Sequence, residues 1–248
     1  MAEGVQSVDR VFGLLEHLAD GGGSLSLSEL AARSHLPMPT IHRLIRSLVN
    51  QGYVRQETSK RYALGPRLIR LGESASRMLG SWAMPYLVEL VDTYGETTNM
   101  AMLEGDACVY VAQVPSPRAM RMFTEVGRFV MPHCTGVGKA ILSTLPDPDV
   151  RALLTRTGMP PRTEHTITSP DAMIAALGTV RKQGYAVDDG EQELGVRCVA
   201  VPIRGLPFRA ALSVSGPSSR VTADQVPLIA PDIQAAADRV RLAFHAMS

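Results

Sequence analysis

Thr40, His42, Arg43, Arg46, Ser47 and Asn50 recur at spacings that gather them on one side of a helix, and no carboxylate stands among them. Hydroxyls, an imidazole and two guanidinium groups on such a face suit a duplex. Arg donates bidentately to guanine, and Thr or Ser reaches a phosphate or a thymine methyl. Thr58, Ser59, Lys60 and Arg61 follow on a short polar stretch that could lie along phosphate or a minor groove. A second chemistry is open to the thiols. Cys198 or Cys134, with His133 or His165 and Asp188, could form a nucleophile arrangement. Cys198 lies in the apolar run Val196 to Ile203, however, where a buried inert thiol is the default. His133, Cys134 and Cys198 lack a fourth ligand and any recognisable zinc spacing, so no metal site and no cofactor are expected.

The elements that must position the basic face can be read from periodicity. Val8, Val11, Phe12, Leu15 and Leu18 mark a first helix, ended by Asp20-Gly21-Gly22-Gly23. Ser26 and Glu29 form a capping-box signature for a second helix that stops near His35-Leu36-Pro37. Pro39 sits in the first turn of a third helix, where its missing N–H costs nothing. Ile41, Leu44, Ile45 and Leu48 supply that helix's apolar stripe, and Gly52 its left-handed cap. Tyr53 to Arg55 and Arg61 to Leu64 read as a β-hairpin. Three helices and a basic hairpin make a winged helix-turn-helix.

Charge agrees. The chain has 248 residues and a net charge of +1. Between Arg33 and Arg70 eight basic residues face one acid, Glu57, a local charge of +7, so the remainder carries −6. A basic segment on an acidic molecule is the footprint of a polyanion binder. Hydrophobic content of 45% with 20% charged residues excludes disorder as the dominant state. No signal peptide and no membrane span are expected, and three widely spaced cysteines point to reduced thiols and a cytoplasmic protein.

After the hairpin, Leu64, Leu68, Leu71, Ala75 and Met78 alternate at four and three residues, a heptad seam suited to pairing with a second copy. Beyond Trp82 the texture turns to helices and short strands. Helices are expected at Pro85–Tyr94, Gly136–Leu145, Pro148–Thr157, Pro170–Gln183 and Pro231–Met247. Strands are expected at 98–103, 107–114, 120–123, 126–130, 185–187, 198–203 and 210–215. The fold class is therefore α+β. Residues 1–65 form a winged helix-turn-helix domain, 66–82 a linker and dimerisation helix, and 83–248 a mixed-sheet sensor domain.

The chain resembles the IclR family of bacterial transcription regulators over nearly its full length. Leu36-Pro37, Thr40-Ile41-His42-Arg43-Leu44, Gly52-Tyr53-Val54 and Tyr62-Ala63-Leu64-Gly65 carry the likeness in the first part. His133-Cys134-Thr135, Gly138-Lys139-Ala140, Asp188, Glu191, Gly195 to Pro202 and Ala211 to Pro217 carry it in the second. The resemblance implies a GAF-like effector-binding domain, dimers or tetramers on palindromic operators, and a small organic acid as effector. Pro39 stands where the family often has Ser or Thr. The DNA-contacting set is then Pro39, Thr40, His42, Arg43, Arg46, Ser47, Lys60 and Arg61.

Asp188, Cys198, Ser213 and Ser215 look like that family's polar pocket wall. Ser213 and Ser215, two apart on a strand, point to one face. Backbone N–H groups near Gly136 could hold a carboxylate or keto oxygen, and Met100, Met102, Met122 or Phe123 could supply apolar walls. Thr135 to Ala140 is not a phosphate loop, because His133 replaces the first Gly and Ala140 the metal-binding hydroxyl. The expected function is a ligand-responsive repressor and not an enzyme, with a thiol-dependent metabolic enzyme acting on a small acid as the alternative.

Overall fold

The computed structural model describes residues 5–122 and 124–247. The chain divides into two compact units, Met1–Ala75 and Ser76–Ser248.

The first unit holds helices α1 (Gln6–Asp20), α2 (Leu27–Ser34) and α3 (Met38–Asn50), then strands β1 (Val54–Gln56) and β2 (Tyr62–Leu64). The capping box at α2 is complete. Glu29 N–H donates to Ser26 Oγ at 3.2 Å, and Ser26 N–H donates to Glu29 Oε2 at 2.7 Å. At the other end of α3, Gly52 adopts φ 77°, which lets Tyr53 N–H reach Leu48 O (3.0 Å) and Gly52 N–H reach Val49 O (3.0 Å). That is the two-bond Schellman closure, which is why glycine stands there. Leu14, Leu18, Leu30, Ile41, Ile45 and Val54 share one small core. β1 and β2 pair antiparallel, and Leu25 bridges to Tyr62 to add a third strand position to the hairpin. In α1 the stripe is rotated from expectation. Leu14 and Leu18 face the core, whereas Val8 and Phe12 are exposed.

Helix α4 (Arg67–Leu79) buries no residue of its own, and the division between units falls within it. Ile69, Leu71, Met78 and Leu79 are exposed along it.

The second unit adds α5 (Met84–Tyr94), β3 (Thr97–Glu104), β4 (Ala107–Val114), β5 (Phe129–Val130), α6 (Gly136–Leu142), α7 (Asp147–Thr157), α8 (Pro170–Gln183), β6 (Ala186–Asp189), β7 (Val196–Ile203), β8 (Ala210–Pro217) and α9 (Val226–Met247). The six strands run in the order β5-β4-β3-β8-β7-β6. Every pairing is antiparallel, so the sheet expected to be mixed is not mixed in strand direction. Because strand side chains alternate, the sheet has two distinct faces. Met100, Leu212, Val214 and Val199 pack with Leu87 of α5 and Ile233 of α9. Ala101, Ala200 and Ala211 pack on the other face with Ile141, Leu154 and Leu177 from α6, α7 and α8.

Three expected elements change. Residues 120–122 form no strand, and Phe123 lies outside the described residues. The strand expected over 126–130 shrinks to Phe129–Val130, paired only with Cys108 and Val109 at the sheet edge. The last helix begins at Val226, with Pro231 inside it. A capping box between Thr222 and Gln225 starts the preceding 3-10 turn, so helical geometry is already set before the proline.

Candidate nucleic-acid interface and ligand site

Burial of Ile41, Leu44, Ile45 and Leu48 fixes the rotation of α3. The opposite side therefore carries Pro39, His42, Arg43, Arg46 and Ser47, all exposed, with Thr40 half-buried at its border. Among the described residues, Arg43 and Arg46 enter no ion pair. Ser47 Oγ donates to Arg43 O at 3.2 Å, a back-bond within the helix. Lys60 sits at the hairpin tip with φ 62°, its N–H donating to Glu57 O at 2.9 Å. Its ammonium stands exposed.

Arg61, expected with Lys60 as a duplex contact, is turned inward. Its guanidinium donates to Ser24 Oγ (3.2 Å) and Ser24 O (2.8 Å) and pairs with Glu29 at 2.9 Å. Ser26 N–H and Oγ, together with Arg61, hold the Glu29 carboxyl down at about 2. Arg61 thus ties the hairpin to the start of α2. Lys60, at positive φ in the turn, stays at the tip, while Arg61 reaches back to Ser24 and Glu29.

In the second unit, register brings the polar residues together. Asp188 of β6 pairs with Cys198 of β7, and Cys198 with Ser215 of β8. Ser213, two positions away on β8, pairs with Ala200 and with Asn99 of β3. All four expected side chains are buried on the α6 side of the sheet. Gly136 opens α6 directly over them. A Cβ there would lie 2.7 Å from Cys198 Sγ, so only glycine lets the helix approach.

Met100 is not part of this layer. It is one residue from Asn99 on the strand, so it projects to the opposite face and joins the core under α5 and α9, as Met102 does. Met122 borders a cavity to which Asp188, Cys198, Ser213 and Ser215 contribute no wall. With Tyr110, Thr124, Arg128, Val130, Thr135, Gln192 and Glu193 it lines this cavity of about 80 Å³. That has room for a few non-hydrogen atoms.

The electrostatics of the layer are set by burial. Asp188 Oδ1 accepts from Glu191 N–H (2.8 Å) and Gln192 N–H (3.4 Å). Desolvation nevertheless dominates and lifts the Asp188 carboxyl to about 7. Lys139 of α6 forms a buried ion pair with Glu191. Burial raises Cys198 to about 11, with Asp188 adding to the rise and the Ser215 and Ser213 hydroxyls offsetting part of it. Burial likewise lifts Cys134 to about 12, and its thiol donates to Gln192 Oε1 at 2.8 Å. Burial lowers His133, whose Nε2 lies 3.1 Å from Pro160 O. His165 is exposed beside Glu164. Among the described residues no histidine is positioned to ionise Cys134 or Cys198, and burial disfavours a nucleophilic thiolate at neutral pH. Among the described residues, no group of three or more His, Cys, Asp or Glu could hold a metal.

Lys139 and Glu191, which stand in the motifs that carry the likeness, belong to this polar layer with Asn99, Gln113 and Thr124, which residue type and spacing do not single out. Asn99 and Gln113 sit inside strands, where only the register shows that they share a face.

Two family models match the chain: the IclR helix-turn-helix domain over residues 7–58 and the bacterial transcriptional regulator IclR C-terminal domain over residues 75–242. The acetate operon repressor of Salmonella typhimurium is 40% identical, with 97% of this chain and 90% of that protein covered. The transcriptional repressor IclR of Escherichia coli is 39% identical, with 98% and 91% covered. The crystal structure of Thermotoga maritima IclR superimposes with a TM-score of 0.77 at 28% identity, covering 95% of this chain and 97% of that one. A helix-turn-helix with an open basic face, a buried polar layer in a second unit, and these matches along both lead to one assignment: the chain belongs to the IclR family of bacterial transcription regulators.

Proposed function

We propose that the protein is a cytoplasmic repressor that binds a palindromic operator and changes its DNA affinity when a small organic acid occupies the second unit. In this reading residues 1–65 bind DNA, 66–82 pair two copies, and 83–248 bind the effector. The observation that carries it is the unpaired, carboxylate-free face of α3 with Arg43 and Arg46 exposed. Two such helices in a dimer would enter the major groove about 34 Å apart, one turn of duplex. Support for the sensing half comes from Asp188, Cys198, Ser213 and Ser215 gathered beneath Gly136, beside the cavity that Met122 lines. Support for pairing comes from the exposed apolar residues of α1 and α4. Names of the full-length relatives favour repression, and the raised thiols speak against the enzyme reading. For effector control the acid must bind one DNA-binding arrangement better than the other.

A gel-shift titration in salt tests this. Operator affinity falls steeply with salt, and Arg43→Ala weakens specific binding by about 1–3 kcal/mol with relaxed preference at one base pair. Retention of DNA that is indifferent to salt, or an Arg43→Ala protein with unchanged operator affinity, overturns the assignment of α3.

A further inference from the structure

A cavity of about 310 Å³ opens on the side of the sheet away from α6, and neither half of the proposed function uses it. Val214 of β8 places it there, because that side chain belongs to the core shared with α5 and α9. Its size is at the lower end of the about 300–1,000 Å³ typical of small-molecule sites. Glu96, with a side chain 3% exposed, is the one carboxylate on its wall among the described residues. Arg220 engages both oxygens of that carboxylate, with Nη2 donating to Oε2 at 2.9 Å and Nε to Oε1. Arg118 Nη1 donates to Oε1 as well, so two guanidinium groups meet one carboxylate and the wall keeps a positive charge. One arginine would already neutralise Glu96. The backbone makes room for the cluster. A Cβ on Gly216 would lie 2.5 Å from Glu96 Oε2, and one on Gly95, at φ 67°, would lie 3.0 Å from Arg118 Nη2. Unused donors surround the pair. Gln225 Oε1 accepts from Thr222 N–H at 3.1 Å, which leaves its NH₂ group as the uncommitted end. Among the described residues, Arg118 Nη2, Arg220 Nη1, Ser219 Oγ and Gln225 Nε2 enter no hydrogen bond within the protein.

We propose that this cavity is a second ligand site, separate from the effector layer, and that it takes the phosphoryl group of a small metabolite. Surplus positive charge selects an anion. Guanidinium forks match phosphate oxygens. The donors come from three segments: the loop after β4, the loop after β8 and the turn before α9. Such a set suits the three terminal oxygens of a phosphoryl group better than the two of a carboxylate. Val214 and Ile229 leave an apolar side for the body that carries the group. The inference stands independently of the organic-acid reading.

Isothermal titration of the full-length protein with inorganic phosphate and with glycerol 3-phosphate, at fixed ionic strength, tests this. Wild type binds at least one of them, and acetate in excess does not displace it. The tighter of the two identifies the source as the free ion or an ester. Gln225→Glu keeps the acceptor for Thr222 N–H and puts a carboxylate on the wall from an exposed position, which weakens binding about tenfold or more. Arg118→Gln weakens it in the same direction while Arg220 still holds Glu96. Should Arg118→Gln lower the melting temperature, Gln225→Glu alone carries the test. Arg151→Gln, which removes an equal charge from α7, leaves the phosphate affinity unchanged. Arg43→Ala, although impaired on operator, leaves it unchanged too. Wild-type phosphate affinity in folded Gln225→Glu, displacement by acetate, or an equal loss in Arg43→Ala overturns the proposal. So does failure of wild type to bind either phosphate, a result that leaves operator binding and its response to organic acids untouched.

Discussion

Asp188 sits in the polar layer in an environment far from that of a free side chain. Two backbone N–H groups and the Lys139 ammonium favour its charge, yet burial and the Glu191 carboxylate oppose it, and burial dominates. A carboxyl held near 7 keeps its proton in the folded protein at pH values where the unfolded chain, near 3.8, has lost it. Stability therefore falls as pH rises between those two values and levels off above them. Asp188→Asn keeps an oxygen for the Glu191 and Gln192 N–H groups and removes the buried ionisation. In thermal melts its advantage over wild type should grow from pH 5 to pH 7, by up to about 1.4 kcal/mol per pH unit. A gap that stays constant across that range would show that Asp188 is ionised throughout. The same residue scale explains what spacing could reveal. Motifs mark Asp188, Cys198, Ser213 and Ser215, whereas the face to which Met100 projects depends on the register of β3, which no motif carries.

At the scale of elements, the hairpin and the loop after β4 are each held by an arginine. Arg61 ties the hairpin to Ser24 and Glu29, while Lys60 at the tip is left to solvent. Arg61→Ala should lower the melting temperature of the first unit, with a cost of about 1 kcal/mol, and leave the salt slope of DNA binding nearly unchanged. Lys60→Ala should do the opposite, reducing that slope by about one with no change in melting. An equal loss of slope in both variants would return Arg61 to the duplex. In the second unit Arg220 donates to Glu96 Oε2 (2.9 Å) and to Met120 O (2.8 Å), and Arg118 also pairs with buried Glu96. Thr97 Oγ1 donates to Met122 O at 3.3 Å. These bonds hold residues 116–122 against Glu96 and Thr97 at the start of β3, and Met122 and Thr124 line the small cavity. No periodicity marks this segment, because its order comes from side chains far away in sequence.

For the molecule as a whole, exposed apolar side chains are spread over both units, and the proposed pairing would use those of α4. Val8 and Phe12 of α1, and Ile69, Leu71, Met78 and Leu79 of α4, are exposed. A helix with no fully buried residue gains little hydrophobic stability from its own fold, and most helices depend on such packing. Leu71→Glu combined with Met78→Glu should shift the sedimentation coefficient of the full chain toward that of a single copy. Operator binding should weaken with it, because two half-sites no longer act together. An unaltered oligomer in that variant would remove α4 from the interface.

Local rules were enough for the winged helix-turn-helix. Ser26, Glu29, Pro39, the Ile41 to Leu48 stripe and Gly52 act within a few residues of chain, so their meaning survives without knowledge of the rest. The strands of the second unit could be located but not arranged, since pairing order and facing depend on contacts between distant segments. Asn99 beside Ser213, Asp188 beside Cys198, and Met100 turned away from the polar layer follow only from that pairing. Chemistry that depends on side chains meeting across strands is settled when the sheet closes, because a shift of one residue in register moves every group to the other face.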